Sequence, residues 1–184
     1  MKKFLCIALS LLMLFALSAC GGNDDEATAP DGTTAQTGES KGLLSAFTAE
    51  TLDGEQADES IFEGKKVTMV NIWATFCGPC IREMPDLQRL HEDYADKGFQ
   101  VVGIVCDVYD ESGVEDAKDI EEATGVKYVS LLPSASLNEA KLKNVTSVPE
   151  TLFVNEKGEL IAGPYIGSNS YEGWAAIIED VLSE

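Results

Sequence analysis

The chain has 184 residues, 45% of them hydrophobic, with 32 acidic against 13 basic residues and a formal net charge of −19. Such a surface repels nucleic acid and anionic lipid head groups, so no nucleic-acid partner is expected. Five cysteines and a single His, His91, do not describe a disulfide-stapled scaffold, in which cysteines come as an even framework.

Lys2 and Lys3 precede an apolar run from Phe4 to Ala19, the charged and apolar regions of a secretory signal. The run is short of the roughly 20 apolar residues a membrane span needs. It ends in Leu17-Ser18-Ala19-Cys20-Gly21-Gly22, which resembles the lipobox of bacterial lipoproteins. The resemblance implies a signal over residues 1–19, cleavage before Cys20, and a diacylglycerol on Cys20 that anchors the chain in the cell membrane on its extracytoplasmic side. Each buried methylene of such a lipid contributes about 0.8 kcal/mol. Residues 20–44 are rich in Gly, Asp, Glu, Thr and Ala and read as a flexible linker spanning on the order of 25 Å. Export places the rest where disulfides persist. Cys6 leaves with the signal and Cys20 is taken by lipid, so Cys77, Cys80 and Cys106 remain: one close pair and a single thiol.

Residues 45–184 read as one domain of ordinary size. Asp53-Gly54 marks a turn between short strands. Val67–Trp73 is an apolar strand, and Ile81, Met84, Leu87, Leu90 and Tyr94 follow at helical spacing, with Lys97-Gly98 as the stop. Phe99–Val108 reads as a strand covered on both faces, Glu111–Thr124 as a helix, Tyr128–Leu132 as a short strand and Ser136–Lys143 as a short helix. Thr151–Val154 and Leu160–Ile161 are strands joined through Asn155–Gly158, and Trp174, Ile177, Ile178, Val181 and Leu182 mark an amphipathic terminal helix. This order predicts an α/β fold, a central mixed sheet with helices on both faces.

Cys77 and Cys80 stand three apart at a strand-to-helix junction, where two thiols close a small disulfide and reopen it. Unpaired N–H groups and the helix dipole favour a thiolate at Cys77. Cys80, one turn on, is placed to resolve a mixed disulfide. Gly78 permits the tight turn, and Pro79 gives up no hydrogen bond in a first helical turn. A structural zinc site is the competing use of such a pair, but it wants four ligands, and only His91 and Cys106 are left to supply them. No metal and no cofactor beyond the cysteine pair are expected.

Asn71-Ile72-Trp73-Ala74-Thr75-Phe76-Cys77-Gly78-Pro79-Cys80 resembles the active-site segment of thioredoxin-like proteins, and more closely that of the membrane-anchored TlpA/ResA branch, related to the AhpC/TSA group. Phe47–Gly64 resembles the N-terminal hairpin of that branch, Pro85 its helix proline, and Ser147-Val148-Pro149 its cis-proline loop. The resemblance implies a thioredoxin-like fold with an N-terminal β-hairpin and a redox-active Cys77–Cys80 disulfide. It makes Cys77 the attacking and Cys80 the resolving cysteine, and sets Pro149 in cis beside them, where an ordinary loop proline is the alternative. It implies substrate contacts at Trp73, Phe76, Gly78, Pro79, Val148 and Glu150. Glu83 matches a glutamate three residues after the second cysteine that would shuttle a proton to or from Cys80; the alternative is a solvated carboxylate in the first turns of a helix.

Several positions depart from the relatives. Asn71 stands where thioredoxin has a buried aspartate, Phe76 where Trp is commoner, and Glu150 where Thr is commoner. Cys106 has no evident partner and reads as a small hydrophobe or a third redox thiol. Gly-Pro between the cysteines is the thioredoxin dipeptide and points to a protein-disulfide reductase. The resemblance implies electrons from a membrane thiol-transfer donor of the CcdA or DsbD type and an exported disulfide-containing client protein. The alternatives are a thiol peroxidase of the peroxiredoxin type, or a lipoprotein that binds metal or peptide on a thioredoxin scaffold.

Overall fold

A computed structural model describes residues 42–184. The signal over 1–19, Cys20 and nearly all of the expected linker lie outside the described residues. The elements are β1 (Thr48–Glu50), β2 (Gln56–Asp58), β3 (Val67–Trp73), α1 (Gly78–Asp93), β4 (Phe99–Val105), α2 (Glu111–Thr124), β5 (Ser130–Leu131), α3 (Ala135–Ala140), β6 (Glu150–Val154), β7 (Leu160–Ile166) and α4 (Tyr171–Ser183). Among the described residues, no helix is long and apolar enough to cross a membrane.

Five strands form one sheet in the order β5-β4-β3-β6-β7, and β1 and β2 form the expected hairpin. β3 runs parallel to β4 and antiparallel to β6, and every residue of β3 is buried. Its alternation divides the core. Val70 and Ile72 face a cluster with Leu44, Phe47, Phe62 and Leu137, formed by the N-terminal hairpin and α3. Val67 and Met69 face α1 and α4 through Leu87, Leu90, Trp174 and Ile178. Trp73 ends β3 on this second side, packed with Cys77, Cys80, Met84, Val105 and Ala117. Burying each such large side chain contributes about 1.5–3 kcal/mol.

The elements differ from the sequence expectation at their ends. Leu44, the last residue of the linker expected over 20–44, belongs instead to the domain: it is fully buried and its N–H donates to the Gly158 carbonyl at 2.9 Å. Gly158 has φ +70°, and a Cβ there would lie 2.3 Å from the Leu44 oxygen, so the contact requires glycine. The strand expected over 99–108 stops at Val105: Cys106 N–H makes a last bond to the Trp73 carbonyl, and the chain then turns so that Asp107 reaches Thr75. The helix expected over 136–143 covers only Ala135–Ala140, followed by a 3-10 turn at Leu142–Asn144. β7 runs on to Ile166, through Gly163-Pro164, because an edge strand has no outer neighbour that needs the missing N–H.

β5 is short and leaves β4 partly unpaired. Val101 N–H therefore donates to Nδ1 of His91, on α1, at 3.0 Å. Gln88, one turn earlier, accepts from the N–H groups of Lys127 and Tyr128 and ties the approach to β5 onto α1.

Candidate active site

β3 delivers the chain through Ala74, Thr75 and Phe76 to Cys77, the N-cap of α1. Cys77 and Cys80 are joined by a disulfide with Cα atoms 5.3 Å apart. Cys80 N–H points at Cys77 Sγ from 3.2 Å, one of the N–H groups a helix start leaves free. The same donor would stabilise a thiolate at Cys77 when the bond is open. Gly78 and Pro79 fill the first turn, and Pro85 lies within the helix. Cys80 is fully buried and Cys77 nearly so. Attack on the pair therefore comes from the Cys77 side.

The segment before Cys77 is held from outside. The Asp107 carboxylate accepts from Thr75 N–H at 3.0 Å and from Thr75 Oγ1 at 2.7 Å. This clamp fixes the loop after β4 against the loop after β3, and each loop displays an aromatic side chain. Phe76 is 79% exposed and Tyr109 82%.

Glu83 lies one turn beyond Cys80 and is not a solvated carboxylate: it is 3% exposed. Oε1 accepts from Asn71 Nδ2 at 3.2 Å, and Oε2 accepts from Asn169 N–H at 3.1 Å and Trp174 Nε1–H at 3.3 Å. Burial pushes the carboxyl above its ordinary range, while these three donors pull it partly back. No cation faces it among these partners. Asn71 also donates to Thr151 Oγ1 at 3.0 Å, so the residue in place of the usual aspartate organises the carboxyl.

The remaining expected site residues divide. Pro149 is buried and follows a cis peptide bond. Val148 is half-buried and packs against the cluster that holds both cysteines. Gly78 is half-buried and Pro79 exposed. Trp73, expected to touch substrate, is fully buried as the last residue of the central strand and packs behind the disulfide. Glu150, also expected to touch substrate, is 2% exposed and forms an ion pair with buried Lys141 on the α3 side, so its carboxylate does not reach the surface. Cys106 is half-buried, and burial followed by the Asp107 charge pushes its thiol up, away from the reactive form. Among the described residues, no group of three or more His, Cys, Asp or Glu is placed to hold a metal ion.

Sequence reasoning missed the Thr75–Asp107 clamp, Tyr109, and the Asn169 and Trp174 donors. Trp174 was legible only as an apolar helix position, and Asn169 acts through its backbone, which carries no residue signal.

Residues 25–169 match the Redoxin family model. The chain is 33% identical over 112 residues to the thioredoxin-like protein YneN of Bacillus subtilis, covering 61% of this chain and 63% of that protein. It is 27% identical over 115 residues to the thiol-disulfide oxidoreductase ResA of Halalkalibacterium halodurans, covering 62% of each. The chain thus spans under two thirds of the length of these relatives. Among solved structures, it resembles a thiol:disulfide interchange protein of the thioredoxin family from Chlorobium tepidum, with TM-score 0.66 and 23% identity over 79% of this chain and 98% of that one. It also resembles a DsbF homologue from Corynebacterium diphtheriae, with TM-score 0.64 and 25% identity over 83% and 96%. The first likeness establishes a thioredoxin-like fold.

Proposed function

This chain belongs to the Redoxin family, and from that premise we propose that it is an extracytoplasmic, membrane-anchored thiol–disulfide oxidoreductase that reduces disulfides in exported client proteins. One observation carries the reading: a closed Cys77–Cys80 pair at the start of α1, with the Cys80 N–H on Cys77 Sγ and a buried, cation-free carboxyl one turn further in. The names of the ResA relatives support it.

The cycle balances without a cofactor. A donor dithiol passes two electrons and two protons to the Cys77–Cys80 bond and leaves as a disulfide. The Cys77 thiolate then attacks a client sulfur. The client's S–S bond breaks, its other sulfur leaves as a thiol, and a mixed disulfide forms. Cys80 loses its proton to Glu83 and attacks Cys77 Sγ, which expels the second client sulfur as a thiolate and re-forms the disulfide; Glu83 then gives up its proton through solvent, and the client thiolate takes one up, so that the client leaves as two thiols. Pro149, Val148, Gly78, Pro79 and Phe76 form the client's surface in this reading. The donor is a membrane protein of the CcdA or DsbD type, and lipid on Cys20 holds the chain near it.

The test is reduction of insulin disulfides by the whole chain with dithiothreitol. Cys77→Ser and Cys80→Ser are each expected to fall to the rate of dithiothreitol alone; turnover by Cys77→Ser contradicts the reading. Cys20→Ala is expected to move the chain from the membrane fraction to the soluble one. A second reading, a peroxidase, is favoured by 26% identity over 114 residues to glutathione peroxidase 1 of Helianthus annuus. Peroxide consumption without a second thiol protein would favour it over disulfide exchange.

A further inference from the structure

The loop between β7 and α4 is pinned at both ends. Its first residue, Gly167, donates its N–H to the Pro149 carbonyl at 2.9 Å. Its last, Ser170, is the N-cap of α4, with Oγ accepting from Gly173 N–H at 3.2 Å. Between these anchors Asn169 turns its own N–H inward, to Glu83 Oε2 at 3.1 Å. The other donor to Oε2 is Trp174 Nε1–H, from a side chain 1% exposed and packed in the core. One donor is thus fixed by the core, and the other hangs on a surface loop that has to be held in place.

The side chain of Asn169 supplies the hold. Its Oδ1 accepts from Ser170 N–H at 2.9 Å. Its amide lies over Gly173, where a Cβ would come within 2.5 Å of Asn169 Cγ and 2.6 Å of Nδ2. Gly173 stands in the first turn of α4, where alanine would make the more stable helix. It is not one of the glycines with positive φ, so it serves no unusual backbone conformation. What glycine gives here is space, and Asn169 fills it.

We propose that Asn169 is a positioning residue for the proton step, seated on Gly173 so that its N–H stays on Glu83 Oε2 and keeps the carboxylate ready to take the Cys80 proton. This role deepens the redox reading and rests on it. An N–H aimed at a carboxylate favours its charged form, and a base works only in that form. The titratable groups that bear on Glu83 are the two cysteines and Asp86 on its own helix, and Tyr128 on the approach to β5. From β3 and α4 it meets only the neutral Asn71 and Trp174 side chains. All of these are the same in the variants below.

The test follows the Glu83 carboxyl carbon by ¹³C NMR across pH 4–8 in the whole chain with its disulfide intact. Gly173→Ala and Asn169→Ala are each expected to move the titration midpoint to higher pH. The pair should move it no further than either alone, because both empty the same seat. Ser168→Ala, an exposed neighbour in the same loop, is expected to leave it unchanged. Insulin reduction on the acidic side of the pH profile is expected to slow about tenfold in each single variant at residues 169 and 173, the worth of one hydrogen bond to a charged group, with little change at high pH. An unmoved midpoint, additive shifts, or an equal shift with Ser168→Ala would each overturn the proposal. A moved midpoint with an unchanged pH profile would make the contact merely structural and overturn it as well. If Gly173→Ala does not fold, Asn169→Ala against Ser168→Ala decides. Absence of insulin reduction by the unmodified chain would instead refute the redox reading itself, and the midpoints would still show whether Asn169 holds Glu83.

Discussion

Glu83 and Glu150 are both buried, at 3% and 2% exposure, on opposite faces of the central β3–β6 pair. They are compensated in opposite ways. Glu150 faces the ammonium of Lys141 on the α3 side, and the two charges match. Glu83 faces only neutral donors, from Asn71, Asn169 and Trp174, on the side that holds the disulfide. The first arrangement holds a charge in place. The second lets a carboxyl gain or lose a proton without stranding a cation in the core. A protein that moves protons with electrons has use for the second beside its thiols, whereas the first serves packing.

The largest effect should come from breaking the matched pair. Lys141→Met leaves Glu150 buried without its cation and is expected to cost about 3–5 kcal/mol in urea unfolding, most of it recovered by adding Glu150→Leu. A loss under about 1 kcal/mol would dissolve the contrast. On the other face, Glu83→Gln removes the exchangeable proton. Insulin reduction is expected to slow about 10²-fold, as for loss of a general base. The same variant has a thermodynamic signature. Because burial raises the Glu83 pKa above 4.5 in the folded protein, its contribution to stability is fully present below pH 4.5 and is lost as pH rises through the raised value. Urea midpoints across pH 4–8 should show this decline in the unmodified chain and a flatter line in Glu83→Gln.

Two smaller effects test the frame around the site. Asp107→Ala removes the clamp on Thr75 and is expected to cost about 1–3 kcal/mol while slowing client reduction more than reduction by dithiothreitol. His91 works with the opposite sign to Glu83. Burial and the nearby Lys65 charge hold its pKa below 6.5, and Nδ1 accepts from Val101. Its stabilisation is present above pH 6.5 and lost as pH falls through the lowered value, a dependence that urea midpoints should show in the unmodified chain and that His91→Gln should remove.

Much of the fold was legible because its signals are local. The apolar run of β3, the helical spacing from Ile81 to Tyr94 and the amphipathic spacing from Trp174 to Leu182 each name their element. What stayed hidden depends on partners distant in sequence. Glu83 looks like any helix carboxylate until Asn169 and Trp174 close over it. Glu150 looked available to substrate until Lys141 met it. Leu44 ends a stretch rich in Gly, Asp, Glu, Thr and Ala that reads as linker, and only its burial and its bond to Gly158 reveal core. The cysteine pair needed no such help, since a three-residue spacing at a strand-to-helix junction carries its own geometry.

The measurement that bears most directly on the central claim is the reduction potential of Cys77–Cys80 in the whole chain, equilibrated in dithiothreitol redox buffers. A reductase with the Gly-Pro dipeptide should lie near thioredoxin, at about −270 mV; a value near that of DsbA, about −120 mV, would make the protein a disulfide donor and contradict the direction proposed for it.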